Sequence, residues 1–250
     1  MPPENPIGVP FYELSEVDSS NNYAMRQVQA QLAGHGATWF TWYQNAGKGQ
    51  RGKPWNAEPG QNIMMSSILN PPNTFIDNQF VITIIVALAC YDFFHQYAKD
   101  KTSIKWPNDI YWEDRKAGGI LIENLINGKK WKFSIVGIGI NINQTFFPSS
   151  LPNPVSLKQI TGKTFNVLEL AKHLCLCLEL RWQQFLNGKE LEQLEEYNSY
   201  LYKLEERMIF KTSNGVFSAI IKGVNNKGEL IIDTGQISSL PYGSAEWVLT

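Results

Sequence analysis

Gly47-Lys48-Gly49-Gln50-Arg51-Gly52 is where the reading of the fold begins. The stretch satisfies the spacing G-x-G-x-x-G. In a dinucleotide-binding fold that spacing opens a helix whose N-terminus faces a pyrophosphate, with an acidic residue about twenty positions later for the ribose. Here Lys53-Pro54-Trp55 follows, no helix begins, and positions 71 and 72 are prolines. A Walker phosphate loop is excluded as well, because Gly47-Lys48 runs into Gly49 where Ser or Thr is required. What remains is a flexible, glycine-spaced segment carrying Lys48, Arg51 and Lys53. Such a segment can fold over a small anion, with backbone N–H groups and cations converging on the negative charge. A solvated surface loop with ordinary charges is the competing reading.

Outward from this loop the chain alternates between helical and extended patterns. Asp18-Ser19-Ser20-Asn21 offers side-chain oxygens as an N-cap for a helix running to Leu32, which Gly34-His35-Gly36 stops. Aromatic and β-branched residues from Thr38 to Gln44 predict a strand, and polar Asn45 to Gly60 a long loop, of a length that tends to be functional or disordered. Ile63 to Leu69 is a second strand, and Phe75 to Ala98 is apolar at helical spacing. Short strands are expected at Ser103 to Lys105, Asp109 to Trp112 and Gly119 to Ile126. Asn127-Gly128 then turns the chain into Trp131 to Ile142. Val167 to Leu186 and Glu190 to Leu201 are helices. After Tyr202 the pattern changes to five short strands: Ile209 to Thr212, Val216 to Val224, Glu229 to Asp233, Gln236 to Leu240 and Glu246 to Leu249. The expectation is an α/β (α+β) unit over residues 1–202 joined to a small all-β barrel over 203–250.

Composition narrows the function classes. Lys+Arg number 22 against 23 Asp+Glu, a net charge of −1, without the positive surplus of a general nucleic-acid binder. Hydrophobic residues at 43% and charged residues at 18% describe a globular chain, long enough to bury a sizeable core. No uninterrupted apolar run of about 18 residues predicts a membrane span. The start, Met1-Pro2-Pro3-Glu4-Asn5-Pro6, has neither a basic nor an apolar leader region, so secretion is not signalled. Three cysteines make no disulfide framework, and Cys90 is too far from Cys175 and Cys177 for a zinc knuckle. They read as buried thiols in a reducing cytosol.

Three further segments give the loop its context: Lys105-Trp106-Pro107-Asn108-Asp109-Ile110, Arg115-Lys116-Ala117-Gly118-Gly119-Ile120-Leu121-Ile122-Glu123, and Gly137-Ile138-Gly139-Ile140-Asn141-Ile142-Asn143. With the loop, in this order and spacing, they closely resemble the biotin–protein ligases. Asp18-Ser19-Ser20-Asn21 matches that family's Asp-Ser-Thr-Asn element. The resemblance covers residues 18 to 143, with a β domain of the right size after it. It implies a catalytic domain related to class II aminoacyl-tRNA synthetases, with a mixed sheet flanked by helices, and a C-terminal SH3-like barrel. Bifunctional members carry an N-terminal helix-turn-helix domain. Only seventeen residues precede Asp18 here, so the resemblance implies the monofunctional form.

The implied activity is ATP-dependent ligation of biotin, through biotinyl-5′-AMP, to a lysine of a biotin carboxyl carrier domain. Two anions, a carboxylate and an α-phosphate, must meet against their repulsion, which fixed cations and Mg²⁺ offset in a closed site. By resemblance Lys105, at the end of a strand stiffened by Trp106-Pro107, contacts both anions. Lys48 and Arg51 join it as catalytic cations. Biotin's ureido ring needs a few neutral polar groups in apolar walls, which Ser19, Ser20, Asn21 and Gln44 suit; plain helix capping is the alternative for the serines. Lys48, Gly49 and Gln50 of the loop complete the biotin site. Gly118 and Gly119 allow close backbone approach to the ligand, or equally tight strand packing. Trp55 is an exposed-looking aromatic in a polar loop, and by resemblance stacks on adenine. Asn141 is placed to read the base edge or ribose, or else is a turn residue, and Lys116 reaches the nucleotide. The resemblance leaves the Mg²⁺ ligands unassigned and allows a homodimer, and neither nucleic acid nor membrane is an expected partner. One departure stands out: the family's usual arginine is replaced by Gln50, which can hydrogen-bond but adds no charge. A lipoate–protein ligase and a non-catalytic biotin-binding module are the competing functions.

Overall fold

The computed structural model describes residues 5–151, 153–213 and 215–248. Seven strands form the main sheet: β1 (Phe11–Leu14), β2 (Thr38–Thr41), β3 (Asn62–Leu69), β4 (Thr102–Lys105), β5 (Asp109–Trp112), β6 (Arg115–Asn127) and β7 (Lys130–Asn141). Their order is β1-β2-β3-β7-β6-β5-β4, with β1 parallel to β2 and every other pair antiparallel. The sheet is therefore mixed. Asn127 pairs with Lys130 across a two-residue turn, and Gly128 supplies the positive φ of +58° that the turn requires.

The two faces of the sheet carry different side chains because alternate residues of a strand point to opposite sides. Ile63, Met65, Ile138 and Ile140 lie in the main apolar core with α2 (Phe80–Ala98). On the other face, Ala24 and Val28 of α1 (Ser20–Gln29) pack with Trp39, Ile68 and Ile135 in a separate cluster. α2 also contacts α4 (Val167–Leu186) and α5 (Glu190–Ser199). With 19 residues and an 18-residue window of mean hydropathy 1.5, α2 is long and apolar enough to cross a membrane; here it is the central core helix, with 67% of that window buried, as the sequence reading of a buried helix expects. Arg181 ties the three helices together, donating from Nε to Asp92 at 2.6 Å and from Nη1 to Glu196 at 2.5 Å.

Several boundaries differ from the sequence reading. The helix expected from Phe75 starts at Phe80, because Asn73–Phe75 forms a separate 3₁₀ turn. β2 stops at Thr41, whose hydroxyl donates to the Tyr43 carbonyl and turns the chain, leaving Gln44 in a single bridge with Val17. The β1 strand was not legible in the sequence, nor was the five-residue helix α3 (Leu157–Thr161), which Ser156 and Gln159 close with a reciprocal capping box.

The second sheet contains β8 (Arg207–Thr212), β9 (Gly215–Val224), β10 (Leu230–Asp233), β11 (Ile237–Leu240) and β12 (Glu246–Val248), in the order β11-β10-β9-β8-β12, all antiparallel. These are the five strands expected after Tyr202; Leu249, the expected end of the last, lies outside the described residues. Phe210, Ile221, Leu230 and Ile232 join the same apolar cluster as the main core. Trp106 Nε1 donates to the Gly228 carbonyl at 2.9 Å. Asn198 both donates to Val224 O at 3.0 Å and accepts from Val224 N at 2.7 Å. The two sheets thus share one core and a set of buried polar contacts. Cys90, Cys175 and Cys177 are free thiols in that core, and burial pushes Cys175 up to about 12 and Cys177 up to about 11, so neither is poised to react.

Candidate active site

The start of α1 is pinned to the sheet by its own polar residues. Asp18 is bonded by Arg26 at 3.0 Å and Asn22 at 2.7 Å, contacts that hold its carboxyl well below the usual range. The Ser19 side chain makes no capping bond, contrary to expectation; instead Gln44 Oε1 accepts the Ser20 N–H at 2.7 Å. Ser66 Oγ lies 2.6 Å from Asn21 Oδ1 and 2.8 Å from Ser20 Oγ. A hydroxyl has one proton, and Asn21 Oδ1 cannot donate, so that proton goes to Asn21 and Ser20 donates the other bond.

Asn21 Nδ2 in turn donates to Glu123 Oε2 at 2.8 Å and to Leu121 O at 3.2 Å. Asn21 is 2% exposed, and both its N–H groups are spent inside the protein. The amide therefore anchors the helix over the sheet. It occupies the space above Gly137, where a Cβ would overlap it. Replacing Asn21 with alanine is expected to cost about 1–3 kcal/mol by stranding Glu123 and Ser66, and Asn21→Asp more, by setting two carboxylates together. Denaturant midpoints of the two variants test the order.

The long loop is held by its own backbone. Gly49 N donates to Lys53 O at 2.7 Å and Trp55 N to Gly47 O at 2.9 Å, with a one-turn 3₁₀ helix at Gln50–Gly52 between them. Its cations diverge rather than converge. Lys48 Nζ donates to Asn22 Oδ1 at 2.5 Å. Arg51, exposed, places its guanidinium beside Gly243 in the turn after Leu240, and the Gln50 side chain reaches Tyr242 in the same turn. Of the loop's charges, Lys53 is the one that acts on Lys105. Trp55 is half-buried, not exposed: its indole lies on the sheet against Gly139 and Gly119, where side chains would collide with it. Its Nε1–H is buried without a hydrogen-bond partner, a donor turned onto the floor of the site.

Lys105 closes β4, paired across the hairpin with Asp109. Its ammonium is 3.1 Å from Tyr111 Oη, 4.9 Å from the centre of the Tyr111 ring and 5.4 Å from that of Trp247. Desolvation pulls its pKa down to about 8; Asp109 opposes the shift, while Lys116 and Lys53 add to it. Lys116 Nζ pairs with Asp109 at 2.7 Å. A Cβ on Gly119 would meet Asp109, Lys116 and Trp55, so this glycine leaves room on the site face. Gly118 points the other way, against the Gly139 carbonyl and Ile140, and serves strand packing. Asn141 is 5% exposed and donates to Val155 O at 3.1 Å, with a longer contact to Lys116 O at 3.4 Å, so its amide N–H groups are tied to backbone.

The structure thus gathers Lys105, Asp109, Tyr111, Lys116, Gly119 and Trp55 on one face, with Ser19, Ser20, Gln44 and Asn21 at the helix start nearby on the same sheet. A cavity of about 280 Å³ lies beside the loop, lined by Gln50, Asn108, Ile120, Ile122, Phe80 and Tyr242 among others. Ser66, Glu123, Tyr111, Asp109 and Trp247 were missed as site residues. Ser66, with Ser67, in the otherwise apolar run 63–69, and Glu123 as the only charge in the run 117–126, were the signals available.

Cationic side chains are thus gathered on one face of the mixed sheet of an α/β protein. Residues 14–141 match the Biotin/lipoate A/B protein ligase family, and the chain belongs to that family. Among curated proteins it is 30% identical over 196 residues to the bifunctional ligase/repressor BirA of Bacillus subtilis, covering 77% of this chain and 60% of that protein. The chain therefore spans about three fifths of that relative's length. It is 28% identical over 230 residues to the biotin–[acetyl-CoA-carboxylase] ligase of Paracoccus denitrificans, covering 88% of this chain and 92% of that one. The solved structure of the Aquifex aeolicus biotin protein ligase in complex with biotin and ATP superposes with a TM-score of 0.81 at 24% identity, covering 96% of this chain and 99% of that one, a likeness of fold.

Proposed function

We propose that this chain ligates biotin to a carrier-domain lysine at the expense of ATP. The observation that carries the reading is Lys105: a desolvated ammonium at the end of a rigid strand, with Lys116 and Lys53 near it. In the first step a biotin carboxylate oxygen bonds to the α-phosphorus of ATP and pyrophosphate leaves, giving biotinyl-5′-AMP. No general base is needed, because the carboxylate is already ionised near pH 7. In the second, the ε-amine of the carrier lysine attacks the anhydride carbonyl and AMP leaves. The nucleophile belongs to the partner, so the chain needs none. The names of the relatives, and the biotin and ATP in the Aquifex aeolicus structure, support the substrates.

Several finer assignments belong to the same proposal. The sheet with α1 on one face and α2 on the other suits a class II synthetase-like domain, and the five antiparallel strands after Tyr202 suit an SH3-like one, divided near 202/203. Ser19, Ser20 and Gln44 line the vitamin's end, with Lys48, Gly49 and Gln50 above it. Trp55, Lys116 and Asn141 border the nucleotide, with Arg51 at the rim. Mg²⁺ has no group of three carboxylate, His or Cys ligands among the described residues. The same proposal includes a cytoplasmic location and a homodimer.

ATP–pyrophosphate exchange with biotin and lipoate side by side tests the reading: exchange with biotin is the expected result, and exchange with lipoate alone would replace it with lipoate ligation. Biotin binding without exchange would instead make the chain a binding module. Within this reading Gln50→Arg is expected to slow dissociation of biotinyl-5′-AMP, since arginine adds a charge and a bidentate anchor that glutamine lacks. Stopped-flow release of the adenylate measures it, and an unchanged rate would remove any role for Gln50 in retention.

A further inference from the structure

We propose that Trp247 is a positioning residue: together with Tyr111 it forms an aromatic cradle that fixes the Lys105 ammonium, so the second sheet takes part in the chemistry through one side chain. The inference rests on the ligase reading for its catalytic meaning.

The geometry is specific. The Lys105 ammonium lies within about 6 Å of two ring centres, the range in which a cation is drawn to a π-face; the distances are 4.9 Å to Tyr111 and 5.4 Å to Trp247. The two rings come from different sheets, Tyr111 from β5 and Trp247 from β12. Trp247 is itself held in place. Its strand pairs with β8 so that Trp247 opposes Phe210, and its ring meets that of Phe210 edge-on at 5.3 Å. Tyr202 sits between the cradle's walls, 5.9 Å from Trp247 and 5.0 Å from Tyr111, with its hydroxyl donating to Asp114 at 2.8 Å. Phe210 is fully buried. A chain of rings therefore connects the core of the second sheet to the lysine.

The charged groups acting on Lys105 are Asp109 from β5, Lys116 from β6 and Lys53 from the loop. The Tyr111 hydroxyl is pushed up by burial and stays neutral. From β12 Lys105 meets an aromatic face. Such a face attracts the charged form of the lysine while excluding water from it, and it restricts a flexible four-carbon stem to one position. The Trp247 Nε1–H is buried with no hydrogen-bond partner, which sets this indole apart from one anchored by its N–H.

The test replaces Trp247 by Leu and by Phe, and separately installs fluorinated tryptophans at position 247 that drain the π-face without changing its shape. Lys105 is titrated by NMR in lysine-labelled protein, with Lys105→Arg identifying the signal, and exchange kinetics are followed in parallel. Trp247→Leu, which keeps apolar bulk and loses the π-face, is expected to move the Lys105 titration to lower pH and cut kcat roughly 3- to 30-fold with little change in the KM for biotin. Trp247→Phe should restore most of both. Fluorination should shift the titration stepwise, a readout that survives if the Leu variant fails to fold. A titration and a kcat indifferent to fluorination would overturn the inference. Because the titration needs no turnover, a shift in a protein without biotin exchange would sink the ligase reading and leave the cradle, whereas exchange with no shift would do the reverse.

Discussion

Lys105→Ala is expected to lower ATP–pyrophosphate exchange by about 10²–10³-fold, corresponding to ~3–4 kcal/mol for one preorganised charge aimed at developing negative charge. The loss should fall on kcat more than on the KM for biotin, because the ammonium matters most where two anions approach. Lys105→Arg keeps the charge but presents a planar fork to a space shaped by Tyr111 and Trp247, and is expected to recover only part of the rate. The pH profile carries an independent sign. The group acts as a cation, and burial has already pulled its pKa down to about 8. Activity should therefore fall as pH rises through that value, well below the ordinary lysine range, and kcat/KM reports this limb because it follows the free enzyme. A rate flat from pH 7 to 10 would show that Lys105 does not act as a charge.

Gly139→Ala is the second large expected effect. A Cβ at that position overlaps the Trp55 indole, so the ring must leave the sheet or the strand must move. Overpacking of this kind costs about 1–3 kcal/mol. Here the displaced group is the loop's own anchor on the floor of the site, and roughly 10- to 100-fold should be lost from kcat/KM for biotin. Gly34→Ala is the matched control, since nothing lies within 4 Å of its added methyl and its φ is not positive. A Gly139 variant as active as the Gly34 variant would mean that Trp55 has no part in building the site.

The contrast between these two positions explains what was legible in the sequence. Lys105 could be singled out because its neighbours, Trp106 and Pro107, and its motif mark it, and β4 and β5 fall within one residue of expectation. The helix Val167–Leu186 and the hairpin at Gly128 were legible for a similar reason: each is fixed by local periodicity or turn chemistry. The glycines in Gly137-Ile138-Gly139-Ile140 were visible, yet their purpose was not. Alternation shows that two residues share a face, but not that Asn21, more than a hundred positions away, fills the space above one of them and Trp55 the space above the other.

The same limit applies to polar partners. Asn21 stands out in the sequence by its motif and its neutral polar side chain, and only the three-dimensional pairing with Ser66, Leu121 and Glu123 reveals that its amide also ties the helix to the sheet. The loop cations were expected to converge on an anion because a flexible, glycine-spaced segment can fold over one. Lys48 bonds Asn22, while a 3₁₀ turn with Arg51 at φ +55° sets the Arg51 guanidinium beside Gly243. Trp247 gave no signal at all, since its contact with Lys105 spans 142 positions and two sheets.

A crystal structure of this protein with a non-hydrolysable analogue of biotinyl-5′-AMP tests the central claim most directly. The Lys105 ammonium is expected within hydrogen-bonding distance, about 3 Å, of the oxygens that join the acyl group to the α-phosphate. An analogue bound with those oxygens far from Lys105, or seated away from the face that carries Gly119 and Gly139, would contradict it.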